Sequence, residues 1–217
     1  MIKLLIFDYN GIIADFPAER WYYIMGIFMK RHDIDPKRQD MLWKRIKDSV
    51  DNGKVSLSKA QDITLKKLGV NNEIIKKWKE LDVKIIENNS KLRPFVLPTI
   101  KKLKKKYKIA ILSDAVHGRK IKHETLRRNK MNMLFDGVYC SCDIGIKKPD
   151  KRAFFTVLNR FKVKSSEAVF IGHSKDEVEG ARKFKIRTIA VDWDKGAKSD
   201  FYIKKFSEIP KVLEKIK

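Results

Sequence analysis

The sequence predicts an α/β fold, a Rossmann-like parallel sheet core with an all-helical cap domain inserted after the first strand. Short, near-continuous apolar runs are typical of strands buried on both faces, and after Pro94 these runs alternate with amphipathic helices. Between Pro17 and about Ser90 the apolar residues recur only at helical spacing. We therefore expect a parallel sheet built from five strands, at residues 3–7, 109–112, 138–142, 168–171 and 188–191.

The position of the helical segment predicts two domains. Residues 1–15 and 91–217 would form the α/β core, and residues 16–90 the helical cap domain. A chain of 217 residues is long enough for one sizeable core and a smaller second domain. The core helices are expected at 98–107, 119–129, 151–161 and 178–184, and a short final strand at 200–203.

Composition limits the classes of protein that the chain can belong to. With 43% hydrophobic and 35% charged residues it is typical of a globular rather than a disordered chain. The longest apolar run, Trp21 to Met29, is too short to cross a bilayer, and the first residues resemble a strand rather than a signal peptide. We expect no membrane partner and a cytoplasmic location.

The two cysteines, Cys140 and Cys142, are separated by one residue. This spacing matches neither a zinc site nor a CxxC redox motif. On the predicted strand 138–142 the two side chains would point the same way, as small apolar groups of the core. A chain with only two cysteines, neither expected to form a disulfide, is typical of a protein from a reducing compartment.

The formal charge of +23 is distributed unevenly. Residues 91–217 hold 33 basic and 14 acidic side chains, whereas residues 16–90 hold 16 and 11. Such a field attracts anionic substrates and nucleic acid. The alternative is a lysine-rich proteome whose helices present solvated basic faces. Because the chain contains no recognised nucleic-acid module, any nucleic-acid binding is expected to be non-specific.

Polar side chains follow several predicted strands at the points where the strands end. In an open parallel sheet these points meet at one edge, where ligands bind. A carboxylate, a hydroxyl and a lysine together suit a phosphate held against an attacking aspartate. The residues concerned are Asp8, Asn10, Ser113, Asp114 and His173, with Lys148 in the loop before the helix at 151–161.

Four segments that carry these residues have recognisable patterns. Leu4 to Gly11 is an apolar strand followed by Asp-Tyr-Asn-Gly, and Ile109 to Asp114 is an apolar strand ending in Ser-Asp. Gly145 to Asp150 contains Lys148, and Val169 to Ser174 is followed by Glu177. In this order, they resemble the four motifs of the haloacid dehalogenase-like (HAD) phosphohydrolases. The helical segment lies where that family carries a helical cap.

The resemblance implies a role for each residue. Asp8 would be the nucleophile that forms an aspartyl-phosphate, and Lys148 would neutralise the charge between the phosphate and the nucleophile. Ser113, with Asp114 beside it, would bind phosphate oxygens. A magnesium ion would lie between Asp8, the main-chain carbonyl of Asn10 and the fourth motif. The substrate implied is a small phosphorylated molecule.

Two positions depart from the family pattern. The second aspartate of the first motif, which protonates the leaving alcohol and activates water, is Asn10 here, and an amide can do neither. In the fourth motif the usual Gly-Asp is Gly172-His173, and the usual later aspartate is Glu177. Magnesium prefers oxygen ligands, so a metal site that includes His173 should bind it weakly or take another metal.

These departures leave three functions open. The first is a phosphohydrolase with altered acid–base and metal chemistry, in which His173 acts as a base, as a ligand or, when protonated, as a positive charge. The second is a scaffold that has lost catalysis and binds a phosphorylated or polyanionic partner. The third is a dehalogenase, which needs neither the second aspartate nor a metal.

Other candidates have plainer explanations. The aromatic residues Trp21, Tyr22 and Tyr23 could face the active site, but such a cluster is more often cap core that is exposed at one edge. The side chains of His117 and His123 are expected at the surface of a basic helix.

Overall fold

The computed structural model describes residues 1–216 and shows an α/β protein built on a six-stranded sheet. The sheet has the order β5-β4-β1-β6-β7-β8, and all its neighbouring strands are parallel. The remaining strands, β2 and β3, form a separate antiparallel pair. The strands are β1 (Leu4–Phe7), β2 (Ala14–Asp15), β3 (Lys91–Leu92), β4 (Lys108–Ser113), β5 (Gly137–Cys140), β6 (Ala168–Gly172), β7 (Arg187–Val191) and β8 (Phe201–Ile203).

Ten α-helices accompany the strands within the described residues. The first four lie between β2 and β3, and the other six cover the parallel sheet or join its strands. They are α1 (Ala18–Arg31), α2 (Pro36–Asp51), α3 (Leu57–Lys66), α4 (Asn72–Asn89), α5 (Val96–Lys104), α6 (Arg119–Arg128), α7 (Ser141–Ile144), α8 (Lys151–Phe161), α9 (Lys175–Lys183) and α10 (Ile209–Lys215). The predicted fold class is confirmed.

The central strand β1 explains why the sheet strands are continuous apolar runs. All four of its residues are buried, and its side chains alternate between the two faces of the sheet. Leu5 and Phe7 pack in one apolar cluster with residues of α5, α6 and α10, and Leu4 and Ile6 pack in the other with residues of α8 and α9. Since both faces are covered by helices, no position of β1 is polar.

The helical insert, α1 to α4, has an apolar core of its own, which includes Met25, Ile75 and Trp78. Its helices begin where the sequence provides capping side chains: Asp35 accepts the backbone N–H groups of α2, and Ser56 caps α3 in the same way. The pairing of β2 with β3 brings the two ends of the insert together on the core. The division into two domains at residues 16 and 90 stays a prediction.

The structure differs from the expected elements in several places, beginning with the unpredicted pair β2 and β3. Strand β5 ends at Cys140, and Cys142 lies in the short helix α7, so the two cysteines do not share a strand; both are free thiols. Helix α9 begins three residues earlier than expected, at Lys175. Helix α5 ends at Lys104, three residues earlier than expected. Helix α10 was not predicted, although Ile209, Val212, Leu213 and Ile216 recur at helical spacing. No helix within residues 1–216 is both long and apolar enough to cross a membrane.

Candidate active site

The strand register brings three predicted site residues to one end of the sheet. Phe7 of β1 pairs with Ile111 of β4 on one side and with Ile171 of β6 on the other. Asp8 follows Phe7 directly, and Ser113 and His173 each lie two residues beyond their paired position. All three residues are therefore at the carboxyl ends of neighbouring strands, where parallel sheets bind ligands.

Lys148 links the two acidic residues of the site. Its ammonium group donates to Asp8 Oδ1 at 2.7 Å and to Glu177 Oε2 at 2.9 Å, and its side chain is completely buried. The loop that carries Lys148 packs closely on α9, because a Cβ on Gly180 would lie 2.5 Å from Pro149 Cβ. Only glycine at position 180 allows α9 to present Glu177 to this lysine.

The neighbouring charges shift the pKa values of Lys148 and Glu177. Burial alone would lower the pKa of Lys148, but the carboxylates of Asp8, Glu177 and Asp114 more than offset it and hold the pKa above its ordinary value. Burial raises the pKa of Glu177 to about 7. The negative charge of Asp8 also raises this pKa, whereas the positive charge of Lys148 lowers it. The lysine is thus a permanent positive charge beside Asp8.

Ser113 has the property expected of a ligand-binding hydroxyl. The residue is 0% exposed, and among residues 1–216 its Oγ has no hydrogen-bond partner. A buried hydroxyl without a partner is costly, and a phosphate oxygen would supply the missing partner. Ser113 therefore fits the predicted role.

The carboxylate of Asp114 makes a different contact from the one predicted. It accepts a hydrogen bond from the backbone N–H of Lys148 at 3.0 Å, and burial raises its pKa. This contact fixes the loop that carries Lys148. The predicted phosphate-binding role of Asp114 stays a prediction.

His173 lies beside the other oxygen of the nucleophile. Its Nε2 is 3.8 Å from Asp8 Oδ2, and its side chain is partly exposed. The imidazole also packs on the turn after β1, because a Cβ on Gly11 would lie 2.9 Å from His173 Nε2. Gly11 has a φ of +74°, so both its backbone conformation and this close approach require glycine.

The predicted magnesium ligands do not fit a magnesium site as they are arranged. Within residues 1–216 there is no group of three or more His, Cys, Asp and Glu side chains placed to hold a metal. Asp8 and Glu177 each have one carboxylate oxygen bound to Lys148, and His173, beside Asp8, offers a nitrogen that Mg²⁺ disfavours. A cation could bind both acids only through their other oxygens, close to the positive charge of Lys148.

A cavity of about 440 Å³ lies between the helical insert and this end of the sheet. It reaches the site through Asn10, Asp114 and Ala115, and Tyr9, the neighbour of Asp8, also lines it. A larger and more open groove of about 750 Å³ is lined by residues of α9, β7 and α10 and by none of the predicted site residues. The enclosed cavity is the better candidate for a substrate pocket.

The prediction for His117 was wrong. Its side chain is only 14% exposed, and it lies in the loop before α6, where its Nε2 is 2.9 Å from Asp82 Oδ2 on α4. Asp82 also accepts hydrogen bonds from Trp21 Nε1 and Gln61 Nε2. The prediction failed because the partner is 35 residues away along the chain, and only the packing of the insert on the core brings the two together.

Trp21 and Tyr22 both line the cavity, so these two aromatic residues face the candidate pocket, and Trp21 also packs against the core of the insert. Tyr22 and Tyr23 are 69% and 63% exposed. His123 is exposed on α6, as expected.

Asp82 and Lys122 were not singled out by the sequence analysis. Asp82 carries a recognisable signal, because it falls on the apolar stripe of α4 between Trp78 and Ile85, whereas the buried face of α6 that carries Lys122 contains few apolar residues. A charged residue within an apolar stripe requires a partner or a function.

Two curated proteins are similar to part of the chain. The chain is 30% identical over 129 residues to a glyceraldehyde 3-phosphate phosphatase of Pyrococcus furiosus, covering 56% of this chain and 52% of that protein. It is 27% identical over 129 residues to the pyrophosphatase PpaX of Bacillus mycoides, covering 56% and 59%. The match thus spans little more than half the length of either relative.

The fold matches over the whole chain. A crystal structure of a 2-haloacid dehalogenase from Pseudomonas syringae pv. Tomato DC3000 superposes with a TM-score of 0.80 at 22% identity, and covers 99% of both chains. At this identity the likeness concerns the fold alone. A family model described as haloacid dehalogenase-like hydrolase matches residues 5–191. The resemblance drawn from the four motifs is therefore confirmed, and the chain belongs to the haloacid dehalogenase-like hydrolase family.

Proposed function

We propose that this hydrolase cleaves a small phosphate monoester through an aspartyl-phosphate on Asp8. The observation that carries the proposal is the contact of Asp8 Oδ1 with the buried ammonium of Lys148, beside a Ser113 hydroxyl that has no partner within residues 1–216. Together these groups offer a nucleophile, a fixed positive charge and a donor for one phosphate. The two curated relatives, both phosphatases, support the same reaction class.

The geometry assigns the two oxygens of Asp8 different roles. Oδ1 is held by Lys148, so Oδ2, on the side of His173, is the oxygen that attacks phosphorus. As the new O–P bond forms, the bond to the leaving oxygen breaks, and that oxygen keeps the electron pair. Lys148 and Ser113 stabilise the negative charge on the phosphoryl oxygens. Water then attacks phosphorus, the bond to Asp8 breaks, and inorganic phosphate leaves.

Asn10 determines which substrates can react. A sugar alcohol is a poor leaving group unless an acid protonates it, and the amide of Asn10 has no proton to give. An aryl or acyl phosphate leaves without that help. His173 Nε2 lies 3.8 Å from Asp8 Oδ2 and is the candidate for accepting the proton of the attacking water.

Rapid-mixing kinetics with 4-nitrophenyl phosphate test the proposal. We expect a burst of nitrophenol followed by a slower steady rate, because the aspartyl-phosphate forms readily and is hydrolysed slowly. The assay is run in chelator and with Mg²⁺, Mn²⁺ or Zn²⁺ in turn, so that a metal requirement is measured directly. Sugar phosphates should be turned over poorly.

Asp8→Asn should remove both the burst and the steady rate, because the covalent step needs an ionised carboxylate. Asp176→Asn is the matched control, since Asp176 is an exposed carboxylate at the start of α9. If Asp8→Asn keeps full activity, Asp8 is not the nucleophile and the reaction takes place at another site. Absence of burst and turnover with every metal, while phosphate still binds, would favour the scaffold that binds a phosphorylated or polyanionic partner.

Dehalogenation is a second candidate, supported by one observation. The two acids that a metal would need are both bound to Lys148, and a dehalogenase uses an aspartate nucleophile without a metal. In that reaction Asp8 would attack carbon and expel a halide. Release of chloride from 2-chloropropionate, abolished by Asp8→Asn, would support this reaction in place of phosphate hydrolysis.

A further inference from the structure

Lys122 is a buried lysine on α6 that has no counter-charge. Only 6% of the residue is exposed, and it lies on the buried face of the helix with Thr125 and Leu126. Within residues 1–216 it takes part in no ion pair and no hydrogen bond. Its ammonium group lies over the ring of Tyr9, with Nζ 3.9 Å from the ring centroid.

The other charged residues that line the cavity all have partners. Asp51 pairs with Lys47, and Asp40 pairs with Lys44. Asp114 and Asp82 accept the hydrogen bonds described above. Within the described chain, Lys122 is thus the one charged group of this lining without a partner. An ammonium group in this position lacks an acceptor for its N–H groups.

The ring of Tyr9 compensates Lys122 only in part. An aromatic face attracts a cation, but it accepts no conventional hydrogen bond. Burial consequently lowers the pKa of Lys122, whereas the pKa of Lys148, which has two carboxylates in contact, is raised. Both lysines are buried, but only Lys148 has carboxylates in contact with its ammonium group.

The cavity connects this lysine with the reacting end of the site. Tyr9 is covalently adjacent to Asp8 and packs against Lys122, and Asn10 and Asp114 line the same space. A substrate whose phosphoryl group is at Asp8 would extend its other end into the cavity. We propose that Lys122 binds a second anionic group of the substrate, a carboxylate or a second phosphate, and so selects doubly anionic phosphate esters.

This inference rests on the proposed function for the position of the phosphoryl group, but its test requires no turnover. Isothermal titration calorimetry measures the binding of phosphonates, which are not hydrolysed at the C–P bond. Phosphonoacetate, 3-phosphonopropionate and 4-phosphonobutyrate place a carboxylate at increasing distances from phosphorus. Each is compared with the alkylphosphonate of the same chain length, which lacks the carboxylate.

We expect the carboxylated compound of at least one pair to bind the wild-type protein 10-fold or more tightly than its alkyl counterpart. Lys122→Met keeps the length of the side chain and removes the charge, so it should abolish this difference and leave alkylphosphonate affinity within about 2-fold. Lys120→Met is the matched control, because Lys120 is an exposed lysine on the same helix. It should leave both affinities unchanged.

Thermal unfolding followed by circular dichroism checks that the variants fold, and Lys122→Gln replaces Lys122→Met if the latter does not. The inference is overturned if no carboxylated compound gains affinity in the wild-type protein, or if the gain survives in Lys122→Met. The carboxylated compound could also gain affinity through Lys122 while the protein hydrolyses no aryl phosphate. That outcome would support the anion site at Lys122 and would contradict the proposed phosphohydrolase activity.

Discussion

At the scale of single residues, the amide of Asn10 is the feature that most limits the chemistry. Asp8 has its charge neutralised by Lys148 and a histidine beside its free oxygen, so the covalent step has the groups that it needs. Asn10 lies two residues further along the turn and lines the substrate cavity. In the proposed reaction it would lie near the leaving group and the attacking water, but its amide cannot act as a general acid or base for either.

Asn10→Asp should raise the rate of hydrolysis of sugar phosphates by about 10²-fold, since general acid–base catalysis typically contributes ~10²–10⁴. The rate with 4-nitrophenyl phosphate should rise less, because its leaving group needs no proton. Steady-state kcat for both substrates measures the effect, with Asn88→Asp, in the helical insert, as control. A folded variant without any gain would indicate that the site lacks more than this one carboxylate.

At the scale of secondary-structure elements, helix α4 and the loop before α6 meet at Asp82. This carboxylate is 3% exposed and accepts hydrogen bonds from Trp21 of α1, Gln61 of α3 and His117 of the core. Burial alone would raise the pKa of Asp82, but these contacts lower it below its ordinary value. One carboxylate thus joins three helices of the insert to the loop that follows β4.

Asp82→Asn should lower the free energy of unfolding at pH 7 by about 1–3 kcal/mol, because an amide satisfies fewer of the buried donors. A carboxylate whose pKa is lowered on folding stabilises the protein above its unfolded pKa, near 3.8, and this contribution is lost as the pH falls through the folded value. Urea unfolding between pH 7 and pH 3 should therefore show the two proteins converging at the acid end.

The control for that series is Asp62→Asn, which removes an exposed partner of Lys79 and should cost less than about 1 kcal/mol. A difference between wild type and Asp82→Asn that stayed constant down to pH 3 would show that packing, and not the charge of Asp82, stabilises this junction.

At the scale of the whole molecule, the charge of +23 sets the long-range field. The excess of positive charge is concentrated in residues 91–217, which contain 33 basic and 14 acidic side chains. Lys101, Lys102, Lys120 and Lys151 are exposed lysines on α5, α6 and α8. Such a field would attract phosphorylated molecules in general, whereas the proposed contacts of Lys148 and Lys122 would act only at short range.

We expect the protein to bind double-stranded DNA weakly and without sequence preference. Neutralised phosphates release counterions, so the affinity should fall steeply between 50 and 200 mM salt. Electrophoretic shift assays over a salt series with two unrelated duplexes measure both properties. If neither duplex is shifted even at the lowest salt concentration, the charge does not mark a nucleic-acid surface. A lysine-rich proteome would then explain the high content of basic residues.

The sequence alone was sufficient for the family, the parallel sheet and the residues at its carboxyl edge. Buried strands such as Leu4–Phe7 are local apolar runs, and Asp8, Ser113 and His173 follow directly where such runs end. Local pattern and covalent neighbourhood determine these features, so they can be read along the chain. The helix at Lys151–Phe161 was predicted at its observed bounds for the same reason.

The tertiary structure decided which groups meet. The contact of Lys148 with both Asp8 and Glu177 joins residues 140 and 29 positions apart, and His117 meets Asp82 across 35. Lys122 was unremarkable in a lysine-rich sequence until the packing of α6 buried it against Tyr9. The physical reason is the same in each case: the charge of a side chain is local, whereas its burial and its partner depend on elements distant in the chain.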